Sequence, residues 1–503
     1  MEANVPDCLI PRPADRAWRP PLDEIDLAVR LETEGVTDEV ARTAYGYDST
    51  LVMAARHFPK LCVKPAAIAP SSAVSGWRAW LRGTAFALPM LLCALSLLTI
   101  GVSLWGGDLP ADLASAVAIA TVASLIVTGG FVQAMSRRGL FYVGTKDFNA
   151  AAVVTRAWAG AGIATILLLT AAGLLANLLF AWMPGSLALT TSAFFVLLGS
   201  LWLACGCLYL VNRASWIGGA TVAGIAVVAL LHRGFGWSLP TAQVLGIFTA
   251  AACAAWGAIS WFRARVTGWA PASLFSLTRE IYLAAPYFVY GALYYLFLFA
   301  DRLNAWTAQT NAAALPIQFR GDYETALDLA MAAFVIQTGW VHAALAGFHR
   351  AVESAQRALP AGHYSQFNRM LREHYLWQLG QCAAFGFASS GLVFFLVSRF
   401  KLLPFANMAP VLVIALVAYP IVVAGLWNTS LLFTLGQPRP VLGGVSLGAM
   451  FSLGCGYLMS RTGSYEAAAV GFLVGAFTFA AYSCLSILRS FRKLDSHYYA
   501  SAL

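Results

Sequence analysis

The 503-residue chain is 59% apolar and 11% charged, with a mean hydropathy of +0.70. Soluble domains carry about 25% charged residues, so this composition excludes a soluble globular enzyme and points to an integral membrane protein. The net charge of +9 is unevenly divided, with residues 1–77 at −3 and the remainder at +12; in a membrane protein such a basic excess reports cytoplasmic loops and anionic lipid rather than nucleic acid.

Residues 21–58 predict two or three short helices. Leu22, Ile25 and Val29 recur at helical spacing. Gly35 ends the first helix, Thr37 caps a second, and Gly46 breaks it. This segment is too small for a catalytic core, and it serves either as an inert cap or as a docking surface for a cytoplasmic partner. Residues 59–76, rich in Pro, Ala and Ser, read as a linker. The first apolar run begins near Thr84, too late for a cleaved signal peptide.

A helical span needs about 20 residues. Twelve candidates follow: 84–106, 113–134, 157–181, 187–211, 215–231, 240–262, 283–303, 326–348, 375–398, 409–432, 440–460 and 466–488. The fifth is short and glycine-rich. Pro89 and Pro420 lie inside apolar runs and predict kinks. With the N-terminus in the cytoplasm, 18 of the 24 basic residues beyond residue 77 fall on the cytoplasmic side, as the positive-inside rule requires. The expected fold class is all-α integral membrane, with twelve transmembrane helices in two six-helix bundles and both termini inside. The organisation is a helical N-terminal segment and linker over 1–77, a first lobe over 78–262, a cytoplasmic linker over 263–282, and a second lobe with a short tail over 283–503. Two like-oriented bundles are a recurrent transporter plan.

The seventh span, "AAPYFVYGALYYLFLFADRLNAW", is unusual. Tyr287, Tyr290, Tyr294, Phe297 and Asp301 follow 3-4-3-4 spacing and share one helix face. Aromatic planes pack on the C–H faces of sugar rings while phenol and carboxylate groups bond the hydroxyl rim, so the stripe suits the wall of a sugar-polymer pathway. Tyrosines also pack between helices and sit in interfacial belts. Asp301 and Arg302 are expected near the outer end, within reach of water. The loop that follows carries Arg320, Asp322, Tyr323, Glu324 and Asp328, and is expected to form an acidic outer mouth attractive to a cationic polymer. Elsewhere in the spans, Gln337, Trp340, Trp427 and Asn428 are candidates for the pathway or for bonds between helices. His342 is a candidate for carrying a coupling proton. The inner loop 349–374 reads as a basic amphipathic surface helix or pair.

Seven of the nine cysteines lie in apolar runs, and all nine read as small buried hydrophobes. No Walker A or H-E-x-x-H motif occurs, and no cofactor, metal or catalytic residue is expected. Energy must come from an ion gradient, a partner or the push of polymer synthesis.

The stretches "APYFVYGALYYLFLFADRLNAW", "LPIQFRGDYETALDLA" and "LETEGVTDEVARTAYGYDS" resemble the PelG-like family, the inner-membrane transport subunits of the Pel exopolysaccharide system. That family is placed in the multidrug/oligosaccharidyl-lipid/polysaccharide (MOP) flippase superfamily. The resemblance implies twelve helices, two lobes, a central cavity open alternately to each side, a bacterial inner-membrane location and export of a biofilm polysaccharide. It also implies a cytoplasmic glycosyltransferase and other Pel membrane proteins as partners, one of them binding cyclic-di-GMP. The matching positions are Tyr287, Tyr290, Tyr294, Asp301, Arg302, Trp306, Phe319, Arg320, Asp322, Tyr323 and Glu324. The alternatives are an ion-coupled antiporter of the same superfamily and a lipid-linked oligosaccharide flippase. A membrane glycosyltransferase would need acids in a roomy outer loop, and the loop holding Asp108 and Asp112 is only a few residues long.

Overall fold

The computed structural model describes residues 24–33, 35–61, 76–84, 87–266, 277–308, 317–358, 364–403 and 406–496. The chain divides into two units, Met1–Val74 and Ser75–Leu503. Leu22 and most of the 59–76 linker lie outside the described residues, as do the middle of the 263–282 linker and Pro316.

The first unit contains α1 (Glu24–Thr33), α2 (Asp38–Tyr45) and α3 (Thr50–Leu61). Thr37 caps α2, its Oγ1 accepting from the Val40 amide at 3.4 Å. Gly35 and Gly46 follow α1 and α2 with φ of 93° and 73°, the left-handed region that glycine enters without strain. The core is Leu27, Ala28, Leu31, Val36, Ala41, Met53 and Ala54. The stripe expected from Ile25 and Val29 is corrected, since both side chains are exposed. Leu27 and Leu31 hold the buried face one step round the helix, where α3 packs against α1. Asp38 ties the unit together by accepting from the Thr50 amide at 2.7 Å. That bond holds its carboxyl below the usual carboxylate range.

The described residues of the second unit form helices joined by loops, with one isolated bridge between Val102 and Gly107. Eleven of its helices are long and apolar enough to cross a membrane, and a twelfth span exists if the bent pair α4 (Gly76–Thr84) and α5 (Leu88–Ile100) is counted as one. The chain is therefore a multi-pass membrane protein. The first expected span is corrected: α4 and α5 are bent by 68°. Pro89 stands in the first turn of α5, where its missing N–H costs nothing, and so starts a helix instead of kinking one.

The first lobe continues with α6 (Ala111–Gly144), α7 (Phe148–Phe180), α8 (Gly185–Leu210), α9 (Ala214–Ala229) and α10 (Leu239–Arg263). A π-helical turn at Leu230–Gly234 lengthens α9, so the short fifth span reaches 21 residues. The second lobe comprises α11 (Leu277–Leu298), α12 (Ala300–Trp306), α13 (Gly321–Ala358), α14 (Tyr364–Arg399), α15 (Ala409–Thr434), α16 (Pro438–Thr462) and α17 (Ala468–Ser490). Each lobe has its own apolar core, and the second includes Val122 and Leu125 of α6, with Met90, Ala118, Ile126 and Trp202 packed against it.

Three sequence expectations change here. The seventh span is broken at Phe299, which separates α11 from α12. The acidic loop is helical from Gly321, which places Asp322 and Glu324 in the first turn of α13, where the helix dipole favours negative charge. The 349–374 segment is no separate surface helix: it is the ends of α13 and α14, with residues 359–363 outside the described set.

The lobes meet most closely where α6 crosses α11. A Cβ on Gly291 would lie 2.2 Å from the Gly129 carbonyl oxygen, and one on Gly130 would lie 2.8 Å from the Phe288 oxygen. Only glycine permits backbones this close, the small-residue contact that membrane helices use in place of a hydrophobic drive.

Candidate functional site

On one side of that crossing, toward the 101–110 loop, the lobes enclose a cavity of about 350 Å³. Its first-lobe wall is mostly apolar, with Met90, Leu97, Val117 and Val122 beside Ser103 and Thr121. Its second-lobe wall carries Phe299, Arg302, Trp306, Phe319, Glu324 and Asp328. The chain has a single acid, Asp147, between Asp112 and Glu280, and the charged residues of the cavity wall, Arg302, Glu324 and Asp328, all come from the second lobe.

The break at Phe299 builds the charged wall. α12 turns Asp301, Arg302, Asn304 and Trp306 into the protein, each at most 5% exposed. Arg302 Nε donates to Glu324 Oε2 at 2.9 Å, and Trp306 Nε1 donates to Glu324 Oε1 at 2.9 Å. Tyr323 OH donates to Asp301 Oδ2 at 3.1 Å. The Arg302 guanidinium lies 3.9 Å from Asp301 and 3.7 Å from Asp328, and 5.0 Å over the Phe299 ring. Asp328 is the member that opens to the cavity, with its side chain 56% exposed. Asn304 Nδ2 anchors α12 to the Ser452 and Leu453 carbonyls at 3.3 and 3.2 Å. Charges removed from water persist only when paired and hydrogen-bonded, and here one guanidinium serves three carboxylates. The expected exposure of Asp301 and Arg302 is thus corrected: both are buried. The remaining loop residues brace this wall, with Arg320 over the Tyr465 ring at 4.8 Å and Tyr465 OH bonded to Asp322. The Phe319 amide donates to Ser115 Oγ on α6 at 2.9 Å, tying the two lobes beside the cavity.

The tyrosine stripe lies elsewhere. Tyr287 packs on Phe433 at 4.8 Å with Arg137 5.2 Å over its ring, and Tyr290 meets Phe433 at 5.0 Å and Tyr294 at 6.0 Å. Phe297 is fully buried between Phe472 and Phe479. None of the four lines the cavity. Tyr290 and Phe297 pack into the second-lobe core, while Tyr287 also meets Arg137 of α6.

Trp427 is buried against Phe348, and Asn428 accepts from Tyr375 OH at 2.7 Å and donates to Ser483 at 3.2 Å. Gln337 Nε2 bonds the Gly386 carbonyl and Ser389 Oγ at 2.9 and 2.8 Å, as an interhelical bonder does. His342 Nε2 and Tyr209 OH, 2.9 Å apart, join α13 to α8 of the other lobe. Trp340 stacks on Phe385 at 5.7 Å beside a second cavity.

At the end of the bundle opposite the first cavity, Arg138 of α6 grips Glu280 of α11 through two bonds of 2.6 Å, and Tyr142 OH adds a third at 3.2 Å. Trp80 of α4 donates to the Ile336 carbonyl at 3.1 Å. The sequence reading passed over Arg138 and Glu280. The available signal was that Glu280 opens the seventh span after a long acid-free stretch.

No protein-family model matches the chain, and no curated protein matches it in sequence. Solved structures do match in fold. A MATE protein in a bent conformation superposes with a TM-score of 0.58 at 14% identity over 85% of this chain and 97% of that one. A MOP-superfamily transporter from Pyrococcus furiosus, described as having a binding pocket of reversed polarity, gives 0.60 at 14% identity over 84% and 97%. An outward-facing multidrug-resistance MATE transporter of the MOP superfamily gives 0.57 at 13% over 83% and 96%. The chain has the fold of the MATE transporters of the MOP superfamily.

Proposed function

We propose that this protein is an exporter that carries a Pel-like, cationic sugar polymer across the bacterial inner membrane, with both termini in the cytoplasm. It works beside a cytoplasmic glycosyltransferase and further Pel membrane proteins, one of them a cyclic-di-GMP receptor. The observation that carries the reading is the second-lobe wall of the interlobe cavity. There Phe299, Trp306 and Phe319 stand beside Glu324 and Asp328. Rings offer stacking faces to sugars, and an acid excess attracts a polymer bearing amines. The aromatic platform thus moves from the tyrosine stripe to Trp306 and its neighbours. The sequence resemblance supports the cargo, and the MATE fold supports alternating access between the lobes.

A second reading, an ion-coupled antiporter, is favoured by the same surplus of carboxylates around Arg302, which a proton or metal cation could neutralise as readily as a polymer amine. Glu324→Gln and Asp328→Asn separate the two. Polymer secretion and cation-driven dye efflux are measured in cells at equal protein levels. Secretion reduced at least tenfold, with no dye efflux from the parent protein, supports the exporter. Efflux by the parent protein that depends on these acids, with secretion unchanged, supports the antiporter and rejects the exporter.

A further inference from the structure

The second cavity, about 850 Å³, shares no lining residue with the first. It lies between α4 and the α13–α14 pair, at the end of the second lobe that carries the 349–374 segment. Its walls are Trp77 and Trp80 of α4, Trp340 of α13, and Trp377 and Phe385 of α14.

We propose that this groove is a binding site for an anionic phospholipid, outside the transport passage, with an acyl chain along Trp340 and Phe385 and the phosphate at Arg350. Four observations support it. The first is depth. α13 runs apolar through Ala343 and Ala344 and then turns polar in "HRAVESAQRA", while α14 starts polar in "YSQFNRMLREHY" and turns apolar after Gln381. The groove straddles that change on both helices, which is the headgroup level of a bilayer. Tryptophans concentrate there.

The second is charge. Arg357 and Arg369 pair with Glu353 and Glu373 along their own helices at 3.7 and 4.0 Å. Arg350 has no acid within ion-pair distance among the described residues, and its Nε donates only to the Ala346 carbonyl at 3.2 Å. It is the lining cation left for a phosphate.

The third is unpaired polarity. Trp340 Nε1, His374 Nε2 and Gln378 Oε1 all belong to lining residues, and each is buried without a hydrogen-bond partner. Buried groups of this kind are normally satisfied. Side-chain rotation toward the groove would let phosphate and ester oxygens accept from the two nitrogens and a headgroup hydroxyl donate to the amide oxygen. The fourth is the apolar remainder of the wall, which fits an acyl chain and gives a soluble sugar little to bond.

The test uses the full chain in phosphatidylcholine nanodiscs doped with dibrominated phosphatidylglycerol or, separately, dibrominated phosphatidylcholine, with tryptophan quenching as the readout. Half-maximal quenching is expected at about fivefold lower mole fraction for the anionic lipid, the ratio that roughly 1 kcal/mol per basic residue gives. Arg350→Gln should bring the two curves together, while the paired Arg357→Gln leaves them apart. Trp340→Phe, which removes one unpaired N–H, should narrow the gap without lowering the melting temperature. Coincident curves in the parent protein, or a preference that survives Arg350→Gln, would overturn the site. So would relief of quenching by inorganic phosphate alone or by a soluble oligosaccharide, since either shows a site for something other than a lipid.

Discussion

Arg138 and Glu280 bind each other across the lobe boundary through two 2.6 Å bonds, at the end of the bundle opposite the charged cavity. The glycine crossing of α6 and α11 lies between them and the cavity. The arrangement places a clasp at one end, a close contact in the middle, and an opening at the other. Removing one partner of a largely buried pair costs about 3 kcal/mol or more because the other charge is stranded. Glu280→Gln should therefore shift the lobes toward separation at this end. Spin labels at the exposed positions Thr145 and Tyr282 report it as a longer distance population, and an unchanged distribution would refute the clasp. The Arg138→Gln, Glu280→Gln double variant should recover part of the shift.

Glu324 is the hub of the cavity wall because it accepts from both Arg302 and Trp306. Glu324→Ala should lower stability by about 3 kcal/mol, read as a fall in melting temperature in detergent. Glu324→Gln keeps an acceptor for Trp306, so it should melt close to the parent while losing transport. A Gln variant that transports normally would remove the hub from the mechanism.

Gly291 is held to its size by the Gly129 carbonyl. Gly291→Val should reduce folded yield severely, since overpacking costs about 1–3 kcal/mol even where side chains can yield and here the obstacle is backbone. Gly173, whose added Cβ would meet nothing within 4 Å, is the matched control. Monodisperse yield on size exclusion decides between them.

For the tyrosine stripe, packing and passage give opposite outcomes. Tyr290→Ala should cost about 3–5 kcal/mol, as for other buried aromatics, while Tyr290→Phe and Tyr294→Phe should export at the parent rate. A phenylalanine variant that folds normally and loses export would return the stripe to the pathway.

In the first unit, the Asp38 carboxylate is favoured in the folded state by the Thr50 amide. Its folded pKa lies below the unfolded value, so its contribution is present above the ordinary carboxylate range near 4 and is lost as pH falls through the lower, folded value. Amide exchange at Thr50 in the full chain should stay protected at pH 5 and lose protection at lower pH. Asp38→Asn should flatten that dependence.

The spans were legible because hydropathy and length decide them with little help from tertiary structure. The soluble caps were legible because Thr37, Gly35 and Gly46 act within a few residues of themselves. What sequence periodicity could not supply was the break at Phe299. Nothing about that residue type forbids a helix, and the turn there depends on partners from 22 or more positions away, such as Glu324. Missing it left Asp301 and Arg302 in water and Tyr323 and Glu324 in a loop. The tyrosine stripe shows the complementary limit. Spacing established that Tyr287, Tyr290 and Tyr294 share a face, and only the packing of α15 against that face decided that it meets Phe433. Ile25 and Val29 failed for the same reason, since a short helix with several apolar residues offers more than one face to bury.

The near absence of acids from the first lobe has an electrical consequence. Arg302 and its three carboxylates ride on one half of the molecule, so any rocking of the halves displaces their charge through the membrane field. Each full elementary charge carried across contributes about 2.3 kcal/mol per 100 mV. Under the proposed alternating access, the balance between the two open forms would then follow the membrane voltage.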